Sequence, residues 1–342
     1  IRPPCEPQQR TRLWLEDGKE NAHPVEPAGA HRIPMVVLAR GGRHLLFTLQ
    51  CRGHIDAAAL AARLAMKKEK PAFLKVATYN IHKGVQGMGP GRRLEIHNLG
   101  LAIEQLDADI VCLQEVRKVH RREEKYFKHW PEMPQAEFLA PPGYQAIYKT
   151  NAVTRHGEHG NALLSRWPVV SHRHQDMSDH RFEQRGLLHV EIQVGEIHLG
   201  EIHVGALQVA SNVTPNTTAQ AKLSLPLNVH VIVVHLGLIP ASRVRQVEQL
   251  QHYIEREVPS ESPLLVAGDF NDWGTRVTKM MRMQNLKEWE GAKYPTYPSR
   301  LPIVQLDHVY AKGLSPVSQM VPHGKIWRQM SDHLPLVAQF DL

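Results

Sequence analysis

Six short segments of this chain each join an apolar run to a polar signature, and their order constrains the fold more than any other feature. They are Val76–Asn80, Ile110–Glu115, Val231–His235, Leu264–Asn271, Leu306–Tyr310 and Ser331–Leu336. The apolar runs are short, rich in β-branched residues and bounded by polar residues or glycine, a pattern that predicts buried strands. Asn, Glu, His and Asp side chains gathered at strand ends can hold a hard cation and act on a phosphate ester.

The order of these signatures resembles that of the endonuclease/exonuclease/phosphatase superfamily. Its members include deoxyribonuclease I-like nucleases, abasic-site endonucleases, neutral sphingomyelinases and inositol polyphosphate 5-phosphatases. The resemblance runs from about residue 74 to the end of the sequence. The chain is more closely similar to small bacterial members without an assigned substrate. Five stretches carry this closer resemblance: Tyr79–Gly84, His159–Ser165, Phe182–His189, Thr296–Arg300 and Ser331–Leu336.

Strands and helices alternate from residue 74 onward, which predicts an α/β protein. One helix is predicted near residues 94–105. A second is predicted at 242–257, with Ser242 as its cap and its apolar residues on one stripe. The resemblance implies the architecture in more detail: a four-layer α-β-β-α sandwich of two packed mixed β-sheets.

Two parts of the chain depart from this pattern. Residues 1–65 differ in composition from the rest, and we predict an N-terminal extension that is disordered in part, with a hairpin at Met35–Gln50. Because Met66 and the lysines after it resemble a bacterial protein start, the predicted catalytic domain is 66–342. Residues 195–228 stand where a short turn would suffice, so we interpret them as an inserted hairpin or loop.

The charge of the chain does not by itself predict a nucleic-acid surface. The formal net charge is +7 and the pI is about 9.3. Residues 1–70 hold 12 Lys/Arg and 7 Asp/Glu, so +5 of that charge lies there and +2 remains for residues 71–342. The excess positive charge thus lies mostly outside the catalytic signatures.

Other compositional features narrow the class of protein further. No apolar run approaches the roughly 20 residues needed to cross a bilayer, and residues 33–49 lack the layout of a signal peptide. We therefore expect no integral membrane association and a cytoplasmic location. The three cysteines, Cys5, Cys51 and Cys112, include no CxxC pair and predict no disulfide framework.

The resemblance implies a metal site at Glu115, Asn80 and Asp332. Magnesium prefers few carboxylates, several waters and the substrate phosphate, so one Glu with an Asp or Asn is a sufficient anchor. We expect Mg²⁺, or Mn²⁺ in its place, and no Cys/His cage. Asn80 would also contact the substrate phosphate.

The resemblance also implies catalytic roles for four residues and a binding role for a fifth, Asn271. Asp269 would position or deprotonate the attacking water. Asn271, two residues later and on the same side of an extended segment, would bind the phosphate or the metal shell. His333 would contact the scissile phosphate, with Asp307 fixing its tautomer. His235 would touch the phosphate from the other side.

Asn161 and Arg185 match the closer bacterial branch and are candidates for substrate-phosphate contacts. Asn161 would act as a supporting amide, and Arg185 would meet either a phosphate or a site carboxylate. Trp273, Trp327 and Tyr297 are candidates for an aromatic rim; the alternative is packing in the core or on the surface.

Together these residues predict a divalent-metal-dependent phosphoesterase that hydrolyses a phosphodiester by in-line attack of water. Nucleic acid is the substrate class that we expect, because it is the most frequent one in the family that the chain resembles. Lipid headgroup or inositol phosphate hydrolysis is the alternative, although the sequence contains no long exposed apolar hairpin or basic amphipathic helix for membrane docking. A third interpretation, a non-catalytic binding module on the same fold, is opposed by the presence of the full residue set. No protein partner follows from the sequence.

Overall fold

The structure is a computed structural model whose described backbone comprises residues 31–38, 44–51, 73–87, 89–203 and 220–342. Side chains are described for residues 73–87, 89, 91–195 and 226–342. The chain divides into two compact units, Ile1–Glu69 with Glu196–Pro226 and Lys70–Gly195 with Leu227–Leu342. Much of the predicted extension 1–65, and residues 204–219 of the predicted insert, lie outside the described residues. The predicted domain boundaries therefore remain predictions.

The described residues include fifteen strands. In chain order they are β1 (His31–Leu38), β2 (His44–Cys51), β3 (Phe73–Asn80), β4 (Val85–Gln86), β5 (Arg93–Leu94), β6 (Ile110–Val116), β7 (Gln145–Thr154), β8 (Gly157–Ser165), β9 (Val169–Asp176), β10 (Gly186–His203), β11 (Gln220–His235), β12 (Leu264–Asp269), β13 (Asp307–Lys312), β14 (Ser315–Met320) and β15 (Leu336–Asp341). β1 and β2 pair antiparallel, as the predicted hairpin requires. β10 and β11 extend into the predicted insert from both sides.

The α-helices of the described residues are α1 (Ile96–Leu106), α2 (Arg121–Tyr126), α3 (Gln135–Leu139), α4 (Pro240–Glu257), α5 (Arg276–Met283) and α6 (Trp327–Met330). Within this part of the chain, none of them has the length and apolar character needed to cross a bilayer. The predicted cap of α4 is wrong: the helix begins at Pro240, whose fixed φ suits the first helical position. Ser242 lies inside the helix and donates its hydroxyl to Asp179.

The larger of the two main sheets has six strands in the order β14-β15-β3-β6-β8-β7. β3 and β6 run parallel, with Val76 beside Ile110 and Asn80 beside Gln114. The remaining pairs in this sheet are antiparallel. Because the carboxyl ends of β3 and β6 meet at one edge, Asn80 and Glu115 arrive at the same end of the sheet.

The second main sheet has five strands in the order β13-β12-β11-β10-β9. β11 and β12 are parallel, with His235 beside Asp269, and β13 runs antiparallel to β12, with Asp269 beside Asp307. His235, Asp269 and Asp307 therefore form one row across three neighbouring strands. Side chains in one row project to the same face of a sheet.

Alternation along the strands divides the apolar residues between two clusters. Val231 and Val233 of β11 pack into the core that both sheets share, together with residues of β3, β6 and β8. Ile232 and Val234 point the other way, into a second cluster with α4 and α5. α1 buries its apolar stripe in the first cluster. Two mixed sheets packed on each other and flanked by helices confirm the predicted four-layer sandwich.

A buried hydrogen-bonded chain of three side chains joins α4 to the five-stranded sheet. The ring nitrogens of His189 lie 3.0 Å from Tyr253 Oη and 3.0 Å from His230 Nδ1. Burial, and then the neighbouring His230, lower the pKa of His189 to about 4. Burial likewise lowers the pKa of His230. Both imidazoles are thus neutral at pH 7, and acid must either charge them inside the protein or unfold it.

The buried, neutral histidines of this hydrogen-bonded group predict that the stability of the protein falls in acid. The folded-state pKa of His189 lies below the unfolded value of about 6.5, so the unfolded protein binds more protons between these values. The stabilisation is fully present above about pH 6.5 and is lost as the pH falls toward about 4. Replacing His189 with Gln should flatten this dependence, measured as the free energy of urea unfolding from pH 7 to pH 4.5. His252→Gln, on the exposed side of α4, should leave the wild-type slope; equal slopes in all three proteins would contradict the assignment.

Candidate active site

The central group of the site is Asp269, at the carboxyl end of β12. Its carboxylate is buried and its Oδ2 lies 3.6 Å from His235 Nε2 and 3.5 Å from His333 Nε2. Asn80 donates its amide to the same oxygen at 3.1 Å. The other oxygen, Oδ1, accepts the backbone N–H of Asn271 at 2.9 Å. The carboxylate is therefore fixed by four neighbours and faces two imidazoles.

His333 joins the two sheets at this point. It comes from the segment before β15 in the six-stranded sheet, and its Nδ1–H donates to Asp307 Oδ2 of β13 at 2.8 Å. Burial alone would lower the pKa of His333, but the carboxylates of Asp307 and Asp269 outweigh burial and raise it to about 10. His333 is therefore an imidazolium at neutral pH, held between two carboxylates.

His235 has the opposite protonation preference. Burial, and then the positive charge of Arg185, lower the pKa of His235 to about 4, against the opposing carboxylates of Asp269 and Glu115. Burial also raises the pKa of Asp269, although the charge of His333 acts against this. The site thus offers one charged and one neutral imidazole on either side of a single carboxylate.

Asn80 and Asn271 hold this arrangement in place through backbone contacts. Asn80 Oδ1 accepts the N–H of His82 at 3.1 Å, and its own carbonyl accepts the Ser331 hydroxyl at 2.7 Å. Asn271 adopts a left-handed conformation with φ 49° and donates its amide to the carbonyl of Leu236 at 2.9 Å. Asn is among the non-glycine residues that tolerate this conformation best.

Glu115 ends β6 and pairs with a neighbour that the sequence did not connect to it. Lys83 Nζ lies 2.6 Å from Glu115 Oε2. Both residues have positive φ angles, 63° for Lys83 and 57° for Glu115, a backbone strain that clusters at functional sites. Burial would raise the pKa of Glu115, but the charge of Lys83 holds it well below its usual range.

The residues predicted as metal ligands carry the donor type that a hard divalent cation prefers. Glu115, Asn80 and Asp332 offer oxygen atoms, and His82 Nδ1 lies 3.8 Å from Asp332 Oδ1. Among the described His, Cys, Asp and Glu residues, one buried group places three possible ligand atoms within 4.8 Å of one another: Asp269, Asp307 and His333. Asp307 Oδ1 is buried without a hydrogen-bond partner, as expected of an oxygen whose partner is a cation or a substrate proton.

Asn161 and Arg185 lie beside the site in supporting positions. Asn161, fully buried on β8, donates its amide to the carbonyls of Gly186 at 3.0 Å and Val233 at 3.2 Å, both in the other sheet. The donors of Arg185 reach Glu183 Oε1 at 3.1 Å and the carbonyl of Leu236 at 3.3 Å. In this structure both side chains therefore bind protein groups around the strand that ends at His235.

The sequence patterns did not predict a role in the site for two of its residues, Ser331 and Thr296. Ser331 links the His333 segment to β3 through its bond to Asn80. The Thr296 hydroxyl accepts the N–H groups of Leu306 at 3.2 Å and Asp307 at 3.3 Å, which fixes the start of β13. Both lie within motifs of the bacterial branch, so the signal was their position in those motifs and not a chemical role.

The predicted aromatic rim forms only in part. The ring of Tyr297 lies 4.9 Å from that of His333, and Trp273 packs edge-on against Tyr297 at 5.8 Å. Trp273 is largely exposed. Trp327 is buried in the larger core cluster and is not part of the aromatic rim.

The chain is similar to known proteins of the family that its sequence signatures resemble. Residues 77–333 match the family model described as "Endonuclease/Exonuclease/phosphatase family". Over 274 residues the chain is 35% identical to the Escherichia coli (strain K12) protein named "Uncharacterized protein YbhP", a match that covers 78% of this chain and 96% of that protein. The protein of that name from Shigella flexneri matches to the same extent.

Several solved structures share the fold at low identity. An endonuclease/exonuclease/phosphatase from Beutenbergia cavernae has a TM-score of 0.55 and 20% identity, over 80% of this chain and 72% of that one. An AP endonuclease from Archaeoglobus fulgidus has a TM-score of 0.51 and 18% identity, over 79% of this chain and all of that one. These likenesses concern the fold. With the family match and the YbhP relatives, they establish that the chain belongs to the endonuclease/exonuclease/phosphatase family of hydrolases.

Proposed function

We propose that this protein is a divalent-metal-dependent phosphodiesterase that cleaves its substrate by in-line attack of water. The observation that carries this proposal is the position of Asp269 between His235 and His333, whose pKa values are shifted in opposite directions. Two groups of one site whose pKa values are shifted in opposite directions can serve separately as an acid and as a base. A structural ion pair needs only one of the two imidazoles.

The chain's own residues divide the reaction between them. Asp269, with its raised pKa, accepts a hydrogen bond from the attacking water and orients it. The His333 imidazolium donates from Nε2 to a phosphate oxygen on which negative charge develops, while Asp307 holds its other nitrogen. His235, neutral and on the far side of Asp269, contacts the phosphate as an uncharged donor.

The cation would sit beside these groups. A bound Mg²⁺ or Mn²⁺ would neutralise charge on the non-bridging oxygens of the phosphate, and Glu115, Asn80 and Asp332 would hold it. Asn271, Asn161 and Arg185 would support the phosphate or the residues that contact it. Nucleic acid as substrate and a cytoplasmic location remain predictions from the sequence.

Removing either central group should abolish turnover. We expect Asp269→Asn and His333→Ala each to reduce hydrolysis of bis(p-nitrophenyl) phosphate and of a labelled DNA duplex by at least about 100-fold. The assays are run with Mg²⁺, Mn²⁺ or EDTA, and EDTA should stop the wild type. His252→Ala, an exposed residue of α4, is the matched control. Unimpaired turnover in either site variant, or full activity in EDTA, would refute the proposal.

The charge on His333 should depend on Asp307. Asp307→Asn removes the carboxylate that raises the imidazole pKa, so the pKa of His333 should fall, measured by NMR titration of the labelled ring in metal-free protein. Asp341→Asn, at the end of β15, should leave the titration unchanged. A His333 pKa that is the same in all three proteins would show that Asp307 does not set it.

Substitutions of Glu115 and of Lys83 should change the metal affinity in opposite directions. Glu115→Gln removes a ligand charge and should weaken Mn²⁺ binding by about tenfold or more, whereas Lys83→Gln frees the Glu115 carboxylate and should strengthen it. Isothermal titration calorimetry without substrate measures both, with Glu104→Gln on α1 as control. Equal affinity in all proteins would exclude Glu115 as a ligand.

A further inference from the structure

Loops beside the catalytic strand ends carry seven exposed apolar side chains of the larger unit. Most of these loops adjoin the strand ends at which His235, Asp269, Asp307 and His333 lie, and the loop of Phe182 joins β9 to β10. Their exposed side chains are Phe182, Leu238, Ile239, Trp273, Leu301, Ile303 and Ile326, which we term the apolar rim. Exposed apolar residues scattered singly are normal, but a group gathered around one site indicates a contact surface.

One part of the apolar rim is held beside the strand end that carries His235. Leu238 follows His235 by three residues, and its N–H donates to Glu183 Oε1 at 2.8 Å. This bond holds the loop of Phe182 beside Leu238. Phe182 is 83% exposed and Leu238 65% exposed, so the two loop tips point into solvent although their backbones are fixed.

The other part of the rim surrounds His333. Tyr297 packs on the His333 ring and contacts Trp273 on its other side. The backbone of Ile303 donates to the carbonyl of Tyr297 at 3.0 Å, so Leu301 and Ile303 belong to the tight turn beside the site. Leu301 is 71% exposed and Ile303 69% exposed. Two aliphatic side chains are thus presented within one turn of a residue that touches the catalytic imidazole.

A basic pocket adjoins this turn. It has a volume of about 360 Å³ and is lined by Arg93, Arg300, Lys325, Arg328 and Gln329, with no acidic residue in its lining. Of the four cations, Arg93 pairs with Glu95, and the other three form no ion pair with the described residues. The backbone N–H of Ser299, next to Arg300, donates to the carbonyl of Asp332 at 2.7 Å, which ties the pocket to the catalytic segment.

We propose that the apolar rim and the basic pocket dock the catalytic end of the protein onto an anionic phospholipid bilayer. The substrate is then the phosphodiester of a phospholipid headgroup presented at that surface. Apolar tips interleaved with Lys and Arg are the composition that enters the boundary between acyl chains and charged headgroups. The identity of the substrate rests on the proposed phosphodiesterase function; docking itself does not.

The aliphatic side chains favour a bilayer over nucleic acid. A nucleic-acid groove neutralises phosphates with basic side chains and stacks bases on aromatic rings. Arg300, Lys325 and Trp273 would suit that role, but Leu238, Leu301, Ile303 and the other exposed aliphatics would gain no partner from a sugar-phosphate backbone. An acyl-chain boundary offers an apolar partner to each of these side chains.

Vesicle sedimentation of the full chain in EDTA tests docking without catalysis. We expect binding to phosphatidylcholine vesicles that contain phosphatidylglycerol, and little binding to phosphatidylcholine alone. Leu301→Ser/Ile303→Ser and Arg300→Gln/Lys325→Gln should each weaken binding by about tenfold. The matched controls, Val153→Ser/Val170→Ser on β7 and β9 and Lys287→Gln/Lys312→Gln near the far end of β13, should bind as the wild type does.

A second measurement separates docking from chemistry. With Mn²⁺ present, the rim variants should keep wild-type turnover of bis(p-nitrophenyl) phosphate and lose turnover of phosphatidylglycerol in vesicles. Three results would overturn the proposal: no vesicle binding by the wild type, vesicle binding that the rim variants do not weaken, or wild-type binding to a DNA duplex alone that Arg300→Gln/Lys325→Gln reduces. Docking without any turnover would leave the proposed docking intact and refute the proposed function.

Discussion

The buried hydrogen bond between His333 and Asp307 is the interaction on which the electrostatics of the site depend. Asp307 starts a strand of the five-stranded sheet, and His333 lies just before a strand of the six-stranded sheet. Their bond therefore closes the sandwich at its catalytic end as well as charging the imidazole. A buried pair of this kind contributes little net stability, but losing one partner leaves an uncompensated charge in the interior. The site and the closure of the fold thus share one bond.

The parts of the site that the sequence predicted are those that strand register determines. A run of β-branched residues that ends in His or Asp predicts a strand and its terminal side chain, and parallel pairing then brings His235 and Asp269 into one row. The four-layer sandwich was implied by the family resemblance that the order of the signatures carries. Contacts that depend on loop conformation were not predictable in this way. The pairing of Lys83 with Glu115 requires two left-handed residues in separate segments, which no local pattern encodes.

Other side chains were misjudged because periodicity reports burial and not partners. Trp327 was a candidate for the aromatic rim with packing in the core or on the surface as the alternative, and it lies on the short helix α6 and packs in the core. Ser242 has the residue type of a cap, yet Pro240 starts the helix first and leaves the hydroxyl to Asp179. The apolar rim was hidden for a related reason: its members come from several loops, and no single stretch of sequence is apolar enough to reveal them.

The reacting groups and the surface around them belong to different parts of this fold. The reacting groups are buried, carried by strand ends and fixed by hydrogen bonds. The surface around them consists of loop tips that touch few neighbours. Such a division lets loops change the substrate while the buried groups stay the same, which agrees with the variety of hydrolases on this fold.

The amide of Asn161 has a consequence for how the protein can come apart. It sits on β8 of one sheet and donates to carbonyls of both β10 and β11 in the other, deep in the interior. Any sliding or separation of the sheets must expose these groups to an apolar environment without partners. Partial opening between the layers is therefore costly, and the amide protons of the catalytic strands should exchange with solvent only through unfolding of the whole sandwich.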